Sequence, residues 1–332
     1  MTYPAMASEH SRDPASVCLP RSDVDRSDAL VQLGESLKQR SYSFTTVSPA
    51  THRRVNAREH ASRANDLNGV FGWSRPFNRD LLDPGLLSLM RAANVFEESG
   101  NSCSSLLRAS TLDKQLYFHS AYPTLEHDAV FFGPDTYRFV RSLRQAMKER
   151  AMPVERAADI GCGAGPGAIT IALAHPQATV FAIDINPAAL ALTEANARLA
   201  GAENVAAVQS DLLTEVPGQL DLIVANPPYL LDRDQRAYRH GGGNLGAGLS
   251  VAIVNQAVAR LSPGGMLMLY TGVVMQGGAD PFLAVIEPIL RDAHFTWSYE
   301  EIDPDVFGEE LDEPAYGFAE RIAAVWLCAT KP

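Results

Sequence analysis

The strongest constraint on this chain is an alternation running from residue 157 to residue 329, in which short apolar runs are separated by stretches of helical periodicity. Ala157–Ile160, Thr179–Ile185, Val205–Ser210, Leu220–Ala225, Met266–Thr271, Phe295–Glu301 and Arg321–Ala329 read as strands. Between them, Ala168–His175, Pro187–Ala200, Ser250–Leu261 and Pro281–Asp292 read as helices, and Asn186 followed by Pro187 is a helix-start signal. Near-continuous apolar strands need cover on both faces, and strands joined through helices run parallel. The pattern predicts an α/β domain over 130–332 with a doubly wound, seven-stranded, mostly parallel sheet. Such sheets bind ligands at the carboxyl ends of their strands, beside the point where the strand order reverses.

The N-terminal part reads differently. Residues 1–28 carry Ser, Asp, Arg and Pro with little periodicity and are expected to form a flexible arm. Residues 29–129 form a smaller, mainly helical accessory domain, expected to serve substrate recognition. Leu30, Leu33 and Leu37, and Leu86, Leu87, Met90 and Ala93, fall at helical spacing, while Leu106–Ser110 and Leu116–His119 flank a turn at Asp113. Helices plus a small hairpin allow a winged-helix-like arrangement. Phe71, Trp73 and Phe77 read as a core-anchored loop.

With 46% hydrophobic and 20% charged residues among 332, the chain has the composition of a folded protein. Its net charge of −11 disfavours a surface that tracks phosphate backbones, since that affinity comes mainly from Lys and Arg. A local exception lies between Lys38 and Asp80, where eight basic residues (Lys38, Arg40, Arg53, Arg54, Arg58, Arg63, Arg75, Arg79) face three acids (Glu59, Asp66, Asp80). This stretch is either an ordinary solvated face or a surface that steers an anionic substrate. The acidic segment Asp303–Glu313 could pair with it or wall the substrate site. Cys18, Cys103, Cys162 and Cys328 are too scattered for a metal knuckle or a disulfide framework, so no metal is expected and reduced thiols in a cytoplasm are the simplest reading. No apolar run reaches the roughly 18 residues of a membrane span, and no secretory signal is expected.

The first strand of the α/β domain runs into Asp159-Ile160-Gly161-Cys162-Gly163-Ala164-Gly165-Pro166-Gly167. Glycines there let the backbone approach a ligand and adopt positive φ. Pro166 stands where a dinucleotide fingerprint wants its third glycine. Asp184, twenty-three residues after Gly161, ends the second strand, and Asp211 ends the third. Carboxylates closing three successive strands suit a cationic, ribose-bearing ligand and repel phosphates.

These residues resemble the class I S-adenosylmethionine-dependent methyltransferases, a Rossmann-like family, and Leu261-Ser262-Pro263-Gly264-Gly265 before the fifth strand is similar to their usual turn. The resemblance implies S-adenosyl-L-methionine as cofactor. It implies that Asp159 and the Gly161, Cys162, Gly163, Gly165 loop pack on the methionine moiety, that Asp184 with Ile185 binds the ribose, and that Asp211 and Leu212 meet the adenine. Cys162 then reads as a small filler, since no basic partner activates it.

The fourth strand ends in Asn226-Pro227-Pro228-Tyr229. Two prolines donate no N–H, which leaves the carbonyls around them free to accept hydrogen bonds. A planar amide or amino group could donate one hydrogen to the Asn226 side-chain oxygen and one to the Pro227 carbonyl, with Tyr229 on its face. That aims the nitrogen at the sulfonium methyl, and orientation is worth up to about 7–11 kcal/mol. The tetrapeptide resembles that of amino-group methyltransferases acting on the glutamine amide of release factors or on nucleic-acid amines. Phe131-Phe132-Gly133-Pro134-Asp135-Thr136 looks like a loose version of the segment Pro-Arg-Pro-Asp/Glu-Thr-Glu of the glutamine enzymes, with Gly133 and Tyr137 replacing its arginine and last glutamate. Asn226, Pro227, Pro228 and Tyr229 are therefore the expected catalytic residues, Asn226 also touching the cofactor. Phe132, Pro134, Tyr238 and His240 are expected at the substrate. The glycine-rich segment 241–248 is either a lid or a plain connection. The expected acceptor is a protein or peptide glutamine-like amide, with a small metabolite or a nucleic-acid amine as alternatives.

Overall fold

The computed structural model describes residues 21–149, 154–231 and 238–332. The chain opens with helices α1 (Arg21–Gln39), α2 (Pro49–Asn56), α3 (Leu67–Phe71) and α4 (Pro84–Ala92). Two antiparallel hairpins follow, β1 (Phe96–Ser99) with β2 (Ser102–Ser105) and β3 (Leu107–Leu112) with β4 (Gln115–Ser120). Helix α5 (Pro134–Glu149) then leads into β5 (Arg156–Ile160), α6 (Pro166–Ala174), β6 (Thr179–Asp184), α7 (Pro187–Ala200), β7 (Val205–Gln209) and β8 (Leu220–Ala225). The remainder is α8 (Gly248–Arg260), β9 (Leu261–Met275), α9 (Pro281–Asp292), β10 (Thr296–Asp303) and β11 (Arg321–Thr330).

One seven-stranded sheet has the order β10-β11-β9-β8-β5-β6-β7. The five strands from β9 to β7 run parallel, and β11 is antiparallel to both its neighbours. The fold is therefore the expected doubly wound, mostly parallel sheet. Its order reverses beside β5, whose two neighbours are the strands that follow it in opposite directions. Period-2 alternation sends Ala157 to one face, under α5, α6 and α7, and Ala158 and Ile160 to the other, under α8 and α9.

The N-terminal elements share the first of these cores, which holds Leu33, Leu37, Phe71, Phe77, Met90 and Phe118. Phe71 and Phe77 are fully buried, as a core-anchored loop requires. Asn196 of α7 fastens the hairpin: its Oδ1 accepts from Phe118 N at 2.8 Å, and its Nδ2 donates to Phe118 O at 3.0 Å and to Ala164 O at 2.9 Å.

Three expectations need correction. Of the arm assigned to 1–28, residues 1–20 lie outside the described residues, whereas 21–28 are the first turns of α1. Tertiary contacts hold those turns, because Arg26 donates to Ala93 O at 3.1 Å and Asp28 pairs with Arg198 at 2.6 Å. The accessory region contains two hairpins where one was expected. The turn of the expected one is Asp113-Lys114, both at positive φ, as a two-residue hairpin turn requires. The last parallel strand spans 15 residues, beyond Met266–Thr271 at both ends. Several cations of the basic stretch are engaged locally: Arg40 with Asp83, Arg79 with Glu98, Arg63 with Asn78, and Arg75 with Asn56. Cys103, Cys162 and Cys328 are free thiols. Among the described residues no helix is long and apolar enough to cross a membrane.

Candidate active site

A cleft opens at the carboxyl ends of β5, β6, β7 and β8, where the strand order reverses. Asp159, Gly161, Cys162, Gly163, Asp184, Ile185, Asp211, Leu212, Asn226, Pro227, Pro228, Tyr229 and Tyr238 all line it. The turn after β5 is shaped by backbone conformation, with Gly161, Gly163 and Gly165 at φ of 71°, 56° and 84°. Gly165 lies outside the lining. It caps α6 in the left-handed conformation, and a Cβ there would come within 2.9 Å of Thr193, so its place is against α7.

Three carboxylates face this cleft differently. Asp159 is 2% exposed and accepts from Ala168 N at 2.8 Å; burial, reinforced by Asp184, pushes its carboxyl up to about 7. Asp184 accepts from Gly163 N at 3.0 Å and Asn186 N at 2.9 Å, and burial raises its carboxyl too. Asp211 is exposed, followed by Leu212 at φ 52°. Burial raises both carboxyls, and the Asp184 charge raises Asp159 further, which makes a place a cation relieves. This fits a sulfonium and ammonium-bearing ligand.

At the end of β8, Asn226 is half-buried, and its side-chain amide has no hydrogen-bond partner among the described residues. It is available to a ligand. Tyr229, 6% exposed, is clamped instead. Its hydroxyl donates to Asp135 Oδ2 at 2.6 Å, while Tyr270 donates to Asp135 Oδ1 at 2.7 Å and Arg138 reaches the same oxygen at 3.0 Å. Arg138 also pairs with Asp303 at 2.9 Å. The ring lies on Gly272, where a Cβ would come within 2.1 Å, and meets Phe307 edge-on at 5.9 Å. Burial and the Asp135 carboxylate hold the Tyr229 hydroxyl well above its ordinary pKa, so it is a neutral donor.

The expected substrate residues divide. Tyr238 is on the cleft, stacked on Phe131 at 6.2 Å, with its hydroxyl donating to Thr124 O at 2.7 Å. Phe132 is not: Phe131 takes the cleft, whereas Phe132, 1% exposed, stacks on His119 at 5.0 Å. Pro134 begins α5 and leaves the lining to Asp135 and Thr136. His240 also lies outside the lining, held in a bridge to Leu230. Sequence reasoning missed Phe131, Asp135 and Phe307; the segment containing the first two was singled out with the wrong parity.

The glycine-rich segment is neither loose nor detached. Gly241 N donates to Leu230 O at 2.9 Å, Leu249 N to Gly241 O at 2.9 Å, and a Cβ on Gly246 would come within 2.1 Å of Tyr229 O. Of the acidic segment, Phe307 walls the cleft and Glu310 pairs with Arg239.

Residues 138–277 match the family model described as methyltransferase small domain. The chain is 36% identical over 186 residues to the release factor glutamine methyltransferase of Moorella thermoacetica, covering 52% of this chain and 63% of that one. It is 34% identical over 167 residues to the enzyme of the same name from Bordetella pertussis, covering 47% and 61%. It is also 32% identical over 138 residues to the 4-amino-L-phenylalanine/4-methylamino-L-phenylalanine methyltransferase of Streptomyces pristinaespiralis, covering 39% and 47%. The chain thus spans less than two thirds of the length of these relatives. The span matched by the methyltransferase small-domain model contains the glycine turn, Asp184, Asp211 and Asn226–Tyr229.

Proposed function

We propose that the chain is an S-adenosylmethionine-dependent methyltransferase that methylates a planar amide or amino nitrogen, working in the cytoplasm. The observation that carries this reading is the meeting, in one cleft, of Asp159, Asp184 and Asp211 with an Asn226 amide left without a protein partner. Asp184 binds the ribose hydroxyls through lone pairs its two backbone donors leave free, and Asp211 with Leu212 takes the adenine. Asp159 and the turn from Gly161 to Gly163 hold the methionine end.

The cofactor supplies an electrophilic methyl on a sulfonium. Asn226 Oδ1 accepts one hydrogen of the acceptor nitrogen and the Pro227 carbonyl accepts the other, which fixes the plane of the group. As the nitrogen took the methyl, the sulfonium–carbon bond would break to leave a neutral thioether and the nitrogen would release one of those protons to water, Asn226 Oδ1 and the Pro227 carbonyl stabilising the positive charge until it left. Tyr229, locked by Asp135 and Gly272, forms a wall that cannot rotate away. Most of the acceleration comes from orientation, so no dedicated base is required.

The relatives named for release factor glutamine support a protein glutamine amide as acceptor. A second reading, an amine on a small aromatic metabolite, is supported by Gly133 and Tyr137 in the altered upstream segment and by the Streptomyces relative. The test is calorimetry with S-adenosylmethionine, then mass spectrometry of cell extract incubated with the chain and isotopically labelled methyl donor. Binding lost in Asp184→Ala and label lost in Asn226→Ala are expected. Absence of cofactor binding by the unaltered chain refutes the proposal.

A further inference from the structure

Beside the cleft, in the N-terminal region, lies a buried cation with unspent donors. Arg108 on β3 is 2% exposed and stands opposite His119 of β4. Its Nε donates to Ser120 O at 3.1 Å, and its two Nη groups have no hydrogen-bond or ion-pair partner among the described residues. Two other inward-turned arginines are paired: Arg138 with Asp135 and Asp303, and Arg260 with the carbonyls of Leu213, Val216 and Gly218.

The walls around Arg108 are neutral. The charged and titratable groups that act on it are the hydroxyls of Tyr42, Tyr122 and Tyr137, and burial brings its guanidinium down to about 10. Burial also holds His52 near 4 and His119 well below its ordinary value, so neither shares the charge at neutral pH. Both are fully buried, and the Nδ1 of each lacks a hydrogen-bond partner among the described residues. His52 stacks on Tyr122 at 4.0 Å and lies 5.2 Å from Trp73. A desolvated guanidinium normally comes with a carboxylate or a full set of carbonyls. Here the counter-charge is missing while the donors remain.

We propose that Arg108 anchors a carboxylate-binding site enclosed by His52, His119 and Tyr122, and, resting on the methyl-transfer reading above, that the carboxylate is one carried by the methyl acceptor. A single planar cation in a neutral, aromatic enclosure matches a planar monoanion. A phosphate dianion would bring a second negative charge with nothing to meet it. Position supports the link to the acceptor. His119 stacks on Phe132, next to the cleft-lining Phe131, and His52 lies three residues along α2 from Pro49, which lines the cleft.

The test is titration of the full chain with benzoate, and separately with inorganic phosphate, followed by calorimetry and melting temperature. Saturable benzoate binding, tighter than phosphate, is expected in the unaltered chain and in Asp184→Ala. Arg108→Met should weaken it at least tenfold while melting no lower than the parent without ligand, because an uncompensated buried charge has been removed. Arg108→Lys, which keeps the charge and loses the fork, should bind benzoate more weakly than the parent. No saturable binding in the unaltered chain, binding unchanged in Arg108→Met, or tighter phosphate than benzoate each overturns the site. The parent titration and the phosphate comparison decide the matter even if a variant fails to fold. Saturating benzoate should also suppress label transfer competitively; unaffected transfer removes the link to the acceptor. Benzoate binding without S-adenosylmethionine binding would refute the methyl-transfer reading and leave the carboxylate site standing.

Discussion

Replacing Asp135 by alanine removes the acceptor shared by two buried tyrosine hydroxyls, at 2.6 Å from Tyr229 and 2.7 Å from Tyr270. Hydrogen bonds to an ionised group contribute about 1.5–3 kcal/mol each, and the donors left behind carry a desolvation cost. The two together set an upper range of about 3–6 kcal/mol, and shared partners make the real loss smaller than the sum. Arg138 keeps Asp303 and adds little to the deficit. Urea unfolding followed by fluorescence should therefore show a loss of about 3–4 kcal/mol for Asp135→Ala. Tyr270→Phe should lose about 1–2 kcal/mol and largely keep labelled methyl transfer, since Tyr229 retains its acceptor. The decisive measurement is the double-mutant cycle of Asp135→Ala with Tyr229→Phe, where a coupling of at least about 1.5 kcal/mol is expected. A coupling within about 0.5 kcal/mol of zero would show that the carboxylate does not hold this ring.

Asp159 gives a pH dependence with a definite sign. Its carboxyl rises to about 7 in the fold, so the stability it confers is full below its unfolded value near 3.8 and is lost as pH rises through 7, up to about 4 kcal/mol. The melting temperature of the cofactor-free chain should fall between pH 5 and 8 more steeply than that of Asp159→Asn, and parallel profiles would contradict this. Cofactor affinity should move the other way, strengthening as pH rises through 7, because a cation prefers the ionised carboxylate; calorimetry at pH 6 and 8 checks it. Gly272→Ala places a Cβ 2.1 Å from the Tyr229 ring and should cut methyl transfer at least tenfold with cofactor affinity within about threefold of the parent. Asn226→Ala should abolish transfer and leave the unfolding midpoint nearly unchanged, since the amide makes no hydrogen bond to the described residues.

The legibility of the fold follows from how local its signals are. Asn186 and Pro187 announce α7 because a cap and a preset φ are chemistry within two residues, and Leu220–Ala225 announces β8 by burial on both faces. β1 and β2 escaped notice because Phe-Glu-Glu-Ser and Ser-Cys-Ser-Ser offer little apolar alternation; β1 is largely exposed. Residues 21–28 concealed a helix held by Ala93 and Arg198, which are distant in sequence. The same distance hid Asp135, whose partners lie 94 and 135 residues away. The glycine turn and the tetrapeptide were readable because each is a contiguous backbone device. Phe131 and Phe132 could not be told apart without knowing which way the segment between β4 and α5 faces.

Asn196 has a consequence for how such a chain can change over time. A single carboxamide in α7 binds both backbone groups of Phe118 in the N-terminal hairpin and the Ala164 carbonyl in the glycine turn after β5. The front module is thus riveted to the α/β half at the glycine turn, and it cannot be exchanged as a cassette at its chain boundary. A chimera carrying a foreign module would strand three buried polar groups unless α7 travelled with it. Recombination should therefore preserve the hairpin and α7 as one inherited block, even though 66 residues separate Ser120 from Pro187 in the chain.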